Sequence, residues 1–102
     1  MKQPAIYIVT NKRNGTLYVG VTSNLVQRIY QHKQAEIPGF TKKYNCKILV
    51  YYEVLGSMEG ATYREKQLKG FVRRKKLELI EQFNPTWSDL YQSILESVQD
   101  LL

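Results

Sequence analysis

The sequence predicts an α+β fold: a small three-stranded sheet, opened by an antiparallel β-hairpin and flanked by helices in an α/β sandwich-like arrangement. Two short runs, 5–10 and 16–21, alternate in polarity and are rich in β-branched and aromatic residues. A third run, Lys47 to Glu53, is apolar enough for a largely buried strand. The remaining apolar residues recur at helical spacing. A chain of 102 residues has room for one core, so residues 1–102 are read as a single domain. The 43% apolar content argues against disorder. No apolar run reaches membrane-spanning length, and Met1-Lys2-Gln3-Pro4 leads straight into a strand, so a soluble, cytoplasmic protein with no membrane partner is expected.

In the first strand Ile6 and Ile8 share one face, and Ala5, Tyr7 and Val9 the other. In the second, Leu17, Val19 and Val21 share a face, leaving Tyr18 and Gly20 opposite. Both tyrosines thus point away from the apolar side. Asn11-Lys12-Arg13-Asn14-Gly15 supplies the turn. A two-residue turn would hold Tyr7 and Tyr18 four positions apart, and a longer bulged loop would set them side by side. Asn24 is a good N-cap for a helix to about Lys33, with Leu25, Val26 and Ile29 as its apolar stripe and Arg28 and His32 stacked on one edge. Pro38-Gly39 breaks the chain. After the third strand, Ser57 caps a helix expected to run to about Lys76, which Leu77 to Phe83 continue or restart until Asn84-Pro85 stops it. Ser88 then caps a last amphipathic helix carrying Leu90, Tyr91, Ile94, Leu95, Val98 and Leu101. The one cysteine, Cys46, is read as a small core residue, and with one Cys and one His a Cys/His zinc site is excluded.

Net charge is +6, unevenly spread. Residues 64–76 hold seven basic side chains and one acidic, whereas residues 77–102 hold five acidic and none basic. A basic stretch beside eight tyrosines suits a polyanion. The plain alternative is a solvated helix face. On the long helix Met58, Ala61, Glu65, Leu68 and Val72 fall within about a quarter of the circumference. A carboxylate on such a stripe is costly unless paired or bound to a cation. A structural ion pair is the bland reading. Two tyrosines, an arginine and a lone carboxylate are also the parts needed to cut a phosphodiester with one metal ion.

Those residues carry a resemblance. Ala5-Ile6-Tyr7 and Tyr18-Val19-Gly20 resemble the paired tripeptides of the GIY-YIG nuclease superfamily, with Ala5 in place of glycine and Val19 in place of isoleucine. Gln27-Arg28 and His32, the stretch Arg64-Glu65-Lys66-Gln67-Leu68-Lys69, and Asn84-Pro85-Thr86-Trp87-Ser88-Asp89-Leu90 resemble its later segments in order. The chain is similar to small bacterial members and to the N-terminal domain of the incising component of the bacterial excinuclease. The resemblance implies a metal-dependent endonuclease acting on DNA, in the setting of DNA repair, with Mg²⁺ or Mn²⁺ as cofactor. Glu65 would hold the metal. Tyr7 would align or deprotonate the attacking water, Tyr18 would hydrogen-bond phosphate or water beside it, and Arg28 would bind the scissile phosphate. His32 would shuttle a proton or donate to phosphate, and Asn84 would position a water or close the site. Gly20 would give the substrate backbone clearance. Lys12, Arg13, Lys42, Lys43, Arg64, Lys69, Arg73, Arg74, Lys75 and Lys76 would contact nucleic-acid phosphates. A homodimer or a partner protein would supply specificity. The alternative functions are a catalytically inactive nucleic-acid-binding module and a DNA-repair adaptor that docks a partner through its acidic last helix.

Overall fold

The computed structural model describes residues 3–100, with side chains described for 3–97. In chain order the elements are β1 (Ala5–Thr10), β2 (Leu17–Thr22), α1 (Leu25–Lys33), α2 (Phe40–Lys43), β3 (Ile48–Val54), α3 (Met58–Lys69), α4 (Arg73–Phe83) and α5 (Tyr91–Asp100). The strands form one antiparallel sheet in the order β2-β1-β3. Every residue of the central strand β1 is buried.

The strand alternation separates two cores rather than a core from solvent. Ile6, Ile8 and Val19 pack with Val50 and Tyr51 of β3 and with Ala61, Leu68, Ile80 and Trp87. On the other face Tyr7 and Val9 pack with Ile29, Cys46, Leu49 and Ile94. The expectation that Tyr7 points off the apolar side is thereby corrected: α1 and α5 supply a second apolar layer over its face. Cys46 is buried in that layer, as expected.

The hairpin takes the longer loop. Tyr7 stands opposite Gly20 and Tyr18 opposite Val9, so the tyrosines are diagonal neighbours on one face. The loop is held from within: Asn11 Oδ1 accepts from the Thr16 amide at 3.0 Å, and Gly15 N donates to the Lys12 carbonyl at 2.9 Å. A Cβ at Gly15 would lie 2.1 Å from Asn11 Oδ1, which explains the glycine.

Two of the three proposed N-caps hold. Asn24 accepts from Gln27 N at 3.2 Å, and Ser57 from Gly60 N at 3.0 Å. The long helix does not. It stops at Gly70, and Val72 adopts extended backbone before α4 begins. Val72 is 68% exposed and Met58 is exposed too, so only Ala61 and Leu68 of the supposed stripe are core. The chain turns between Gly70 and Val72, where the partly buried Phe71 packs against the first core, and α4 then brings Ile80 into that core. Ser88 is likewise not the final cap. The Asp89 carboxylate accepts from Tyr91 N at 3.1 Å instead. Ile94 is the buried anchor of that helix. Leu101 and the Val98 side chain lie outside what is described.

β3 carries a bulge. Ile8 pairs with Tyr51 and Val9 with Leu49, leaving Val50 between them without a partner on β1. Asn84 fills the gap. Its Nδ2 donates to Val50 O at 3.2 Å and to Ser88 O at 2.8 Å, and its Oδ1 accepts from Ser88 N at 3.2 Å. The outer edge of β3 is closed by the same segment, with Leu49 N donating to Asp89 and Leu90 N to the Leu49 carbonyl.

Candidate functional site

Four elements, β1, β2, α1 and α3, bring the candidate residues together around Tyr7. Tyr7 is 2% exposed at the middle of β1, and its ring lies across Gly20 of β2. A Cβ at Gly20 would sit 2.3 Å from Tyr7 Cζ and 2.4 Å from its hydroxyl oxygen. The clearance foreseen for a substrate backbone is thus taken by the tyrosine itself, and the role assigned to Gly20 is corrected accordingly. Gly20→Ala should displace the Tyr7 ring, cost roughly 1–3 kcal/mol as overpacking does, and depress any Tyr7-dependent activity. Thermal melts read the stability cost. An alanine variant as stable as wild type would show that the ring is free to move aside.

His32, on α1, is buried beneath Tyr7 and Tyr18. Tyr7 Oη and His32 Nε2 are 2.8 Å apart, and His32 Nδ1 lies 3.2 Å from Thr41 Oγ1 on α2. The Tyr18 ring meets His32 edge-on at 6.0 Å and stacks on Phe40 at 5.9 Å, and Phe40 contacts Tyr44 at 4.7 Å. Phe40 and Tyr44 are exposed, so an aromatic rim runs outward from the site.

Arg28 stands one turn before His32 and is partly buried. Burial holds His32 down to about 4, and the Arg28 charge adds to the effect, so the imidazole is neutral at pH 7. Burial also pushes the Tyr7 hydroxyl well above the usual phenol range, with Tyr18 adding to the rise, Arg28 opposing it and Glu65 reinforcing it. Tyr7 therefore keeps its proton at neutral pH.

Glu65 comes from α3, which packs against β2 and β1. Its side chain is only 14% exposed and pairs with Lys69 Nζ at 3.4 Å. Lys69 Nζ also lies 6.0 Å from the Tyr18 ring centre. Among the described residues no three of His, Cys, Asp and Glu converge. A single partly buried carboxylate fits a hydrated Mg²⁺ or Mn²⁺, which binds through one or two carboxylates and keeps several waters.

The structure thus gathers Tyr7, Tyr18, Arg28, His32 and Glu65, and with them Lys69. It does not bring Asn84 to them. That amide is consumed at the C-terminus of α4, holding the β3 bulge and the turn to Trp87, and its expected place in the site is corrected. Trp87 is a core residue, as foreseen, with its indole donating to Glu81 at 2.7 Å.

The basic residues divide. Arg64 is corrected from a phosphate ligand to a clamp: it grips Glu53 of β3 through Nε and Nη2, both at 2.9 Å. Burial pushes the Glu53 carboxyl up, but hydrogen bonds from Arg64 and Tyr51 together hold it below its usual value. Arg73 donates to the Asn14 and Gly15 carbonyls at 2.9 and 2.7 Å, tying α4 to the hairpin loop. Lys75 lies over Phe71 at 4.2 Å, and Arg74 faces Glu78 at 3.9 Å on a fully wet surface. The run Arg73 to Lys76 is therefore partly committed to structure. It also opens α4, where positive charge opposes the helix dipole. Lys12, Arg13, Lys42 and Lys43 are exposed, the latter two beside Phe40 and Tyr44.

Thr41, Phe40 and Tyr44 do not stand out in the sequence. They sit on or beside a four-residue helix, too short to show periodicity. The one signal there is an aromatic pair at i and i+4 straight after Pro38-Gly39.

Comparison with known proteins agrees with this geometry. Residues 3–78 match the GIY-YIG catalytic domain. A UPF0213 protein of Staphylococcus haemolyticus is 38% identical over 82 residues, spanning 80% of this chain and 99% of the relative. A UPF0213 protein of Syntrophus aciditrophicus is 38% identical over 71 residues, spanning 69% of this chain and 80% of the relative. The solution structure of the UPF0213 protein BH0048 from Bacillus halodurans superposes with a TM-score of 0.54 at 25% identity, covering 85% of this chain and 92% of that one. With both tripeptide strands, the Arg28 helix and the Glu65 helix inside the matched segment, the chain belongs to the GIY-YIG family.

Proposed function

We propose that the chain is a metal-dependent nuclease that hydrolyses phosphodiester bonds, with DNA as the preferred substrate. The observation that carries the reading is Glu65, a carboxylate with a 14% exposed side chain, held within electrostatic reach of Tyr7, which Arg28 and His32 also approach. Core packing accounts for the Tyr7 ring but not for the carboxylate and the guanidinium beside it. A Mg²⁺ ion on Glu65 would supply charge neutralisation at phosphorus and at the leaving oxygen.

The chain's own residues do the rest. Arg28 donates to the non-bridging oxygens of the scissile phosphate through its planar fork. Burial disfavours a standing phenolate at Tyr7. Tyr7 acts instead as a relay: its oxygen takes the proton of the attacking water as its own proton passes to the neutral Nε2 of His32. Tyr18 steadies the water or a phosphate oxygen. Lys42 and Lys43 offer phosphate contacts, and Phe40 and Tyr44 offer faces on which bases can stack.

A second reading, a nucleic-acid-binding module without catalysis, is favoured by one observation. The Lys69 ammonium already neutralises Glu65 in this arrangement. The test is a panel of labelled duplex, branched and single-stranded DNA and of RNA, incubated with Mg²⁺, with Mn²⁺ and with chelator. The nuclease reading expects cleavage of at least one DNA with metal and none with chelator. Retention of DNA without cleavage under every metal condition would support the binding module, and cleavage unaffected by chelator would remove the metal from the mechanism.

A further inference from the structure

We propose that Thr41 is a positioning residue for the reaction: its hydroxyl accepts the Nδ1 proton of His32 and so fixes the tautomer whose bare Nε2 faces the Tyr7 hydroxyl. The proposal rests on the nuclease reading above and deepens it.

His32 and Thr41 are 4% and 6% exposed, and each ring nitrogen of His32 has one protein partner, a hydroxyl. A neutral imidazole must donate from one nitrogen and accept at the other. Two arrangements satisfy that rule. In one, Tyr7 donates to Nε2 and Nδ1 donates to Thr41. In the other, Thr41 donates to Nδ1 and Nε2 donates to Tyr7.

Three features favour the first. A phenol is a far stronger acid than an aliphatic alcohol, so the better donor should meet the bare nitrogen. The Tyr7 contact is the shorter, 2.8 Å against 3.2 Å. And the proton left without an imidazole acceptor belongs in the first case to Thr41, whose hydroxyl can rotate about its Cβ–Oγ1 bond to find another acceptor. In the second it belongs to Tyr7, which is 2% exposed and can turn its O–H only in the ring plane.

Thr41 is also held in place by its backbone. Gly39, at φ 105°, turns the chain into α2. The Thr41 carbonyl then accepts from the amide of buried Cys46 at 2.9 Å, which ties α2 to the second core.

The chemistry needs this acceptor. As the water oxygen bonds to phosphorus, its proton moves to the Tyr7 oxygen and the Tyr7 proton moves to Nε2. The bond from phosphorus to the leaving oxygen breaks, and that oxygen keeps the electron pair and takes a proton from solvent. His32 becomes an imidazolium with two N–H groups. The Nε2 proton is held by the Tyr7 oxygen and the Nδ1 proton by Thr41. Around the ring stand Tyr7 from β1, Tyr18 from β2 and Arg28 from α1, with Glu65 and Lys69 of α3 beyond them. None of these is hydrogen-bonded to Nδ1.

The test uses the full chain, whose single histidine makes its signals unambiguous. Long-range ¹H–¹⁵N spectra of ¹⁵N-labelled wild type should show a protonated Nδ1 and an unprotonated Nε2. Thr41→Val should shift the ring toward the other tautomer and lower the single-turnover cleavage rate about 10–100-fold, by analogy with the loss of the partner that orients a metal-bound histidine. Thr41→Ser should restore both. An Nε2–H tautomer in wild type overturns the proposal without any variant. So does an active Thr41→Val enzyme with unchanged tautomer and rate. Wild-type protein that cleaves nothing in the panel overturns the nuclease reading and the catalytic role of Thr41 together, whereas a normal rate with a tautomer indifferent to Thr41 overturns the Thr41 assignment alone.

Discussion

Glu65→Gln is expected to bring metal-dependent cleavage below detection while leaving the fold and nucleic-acid retention nearly intact. Glutamine keeps the volume and loses the charge, so a hard divalent cation held there would lose its carboxylate ligand. The structural cost should be small. The ion pair lost is Lys69 to Glu65, whose lysine side chain is about half exposed, and such pairs are worth roughly 0–1 kcal/mol. Removing a negative charge beside Lys69 also favours a polyanion, so DNA affinity should hold or rise slightly. Glu53→Gln is the matched control. Glu53 is gripped by Arg64 and Tyr51, so its loss should lower the melting temperature and spare the chemistry of the folded fraction. The measurements are single-turnover cleavage, a melt and a DNA titration on both variants. A Glu65→Gln enzyme that cuts at the wild-type rate would defeat the metal assignment. One that unfolds would make Glu65 a structural partner of Lys69.

The strands, the capped starts of α1 and α3 and the parity that puts Tyr7 and Tyr18 on one face are legible in the sequence, because each is a local property of a short run. The failures share a cause: they depend on what the other elements do. Tyr7 reads as pointing off the core only if the sheet has one buried face, and α1 with α5 gives it two. Glu65 stands out on a stripe that includes Met58 and Val72, both exposed. The glutamate is nonetheless shielded, at 14%, because α3 sits beside β2. Asn84 stands in the family-like segment, yet its amide answers a bulge at Val50 that no pattern in β3 announces. Arg64 is one position from Glu65 and belongs to a different network. Gly20 needs the ring of Tyr7 to explain it. Thr41 has no periodicity to betray it.

Tyr7→Phe and Arg28→Ala should each slow single-turnover cleavage by on the order of 10²-fold or more, the scale at which proton-transfer and charge-stabilising groups act, but they should fail differently. Phenylalanine keeps the ring over Gly20. It removes the hydroxyl that His32 Nε2 meets at 2.8 Å, leaving a buried imidazole nitrogen without its partner at a cost of about 1–3 kcal/mol. Arg28 remains, so DNA affinity should change little and the loss should fall on the chemical step. Alanine at 28 removes the phosphate donor, so both affinity and rate should drop. It also removes the second of the two influences that hold His32 down, so the histidine should titrate nearer its ordinary range. Tyr7 should move the other way, further up, because the Arg28 charge opposes its rise. An imidazole that is protonated before the reaction cannot accept the Tyr7 proton. The residual activity of Arg28→Ala should therefore fall away at a higher pH on the acid side than that of wild type, and Tyr7→Phe should lose this acid limb altogether. Rate profiles from pH 4 to 9, with circular dichroism at each end, read both effects. A Tyr7→Phe enzyme that retains the wild-type rate and the wild-type acid limb would show that water gives its proton to another base, and Tyr18 or His32 acting directly would take that place.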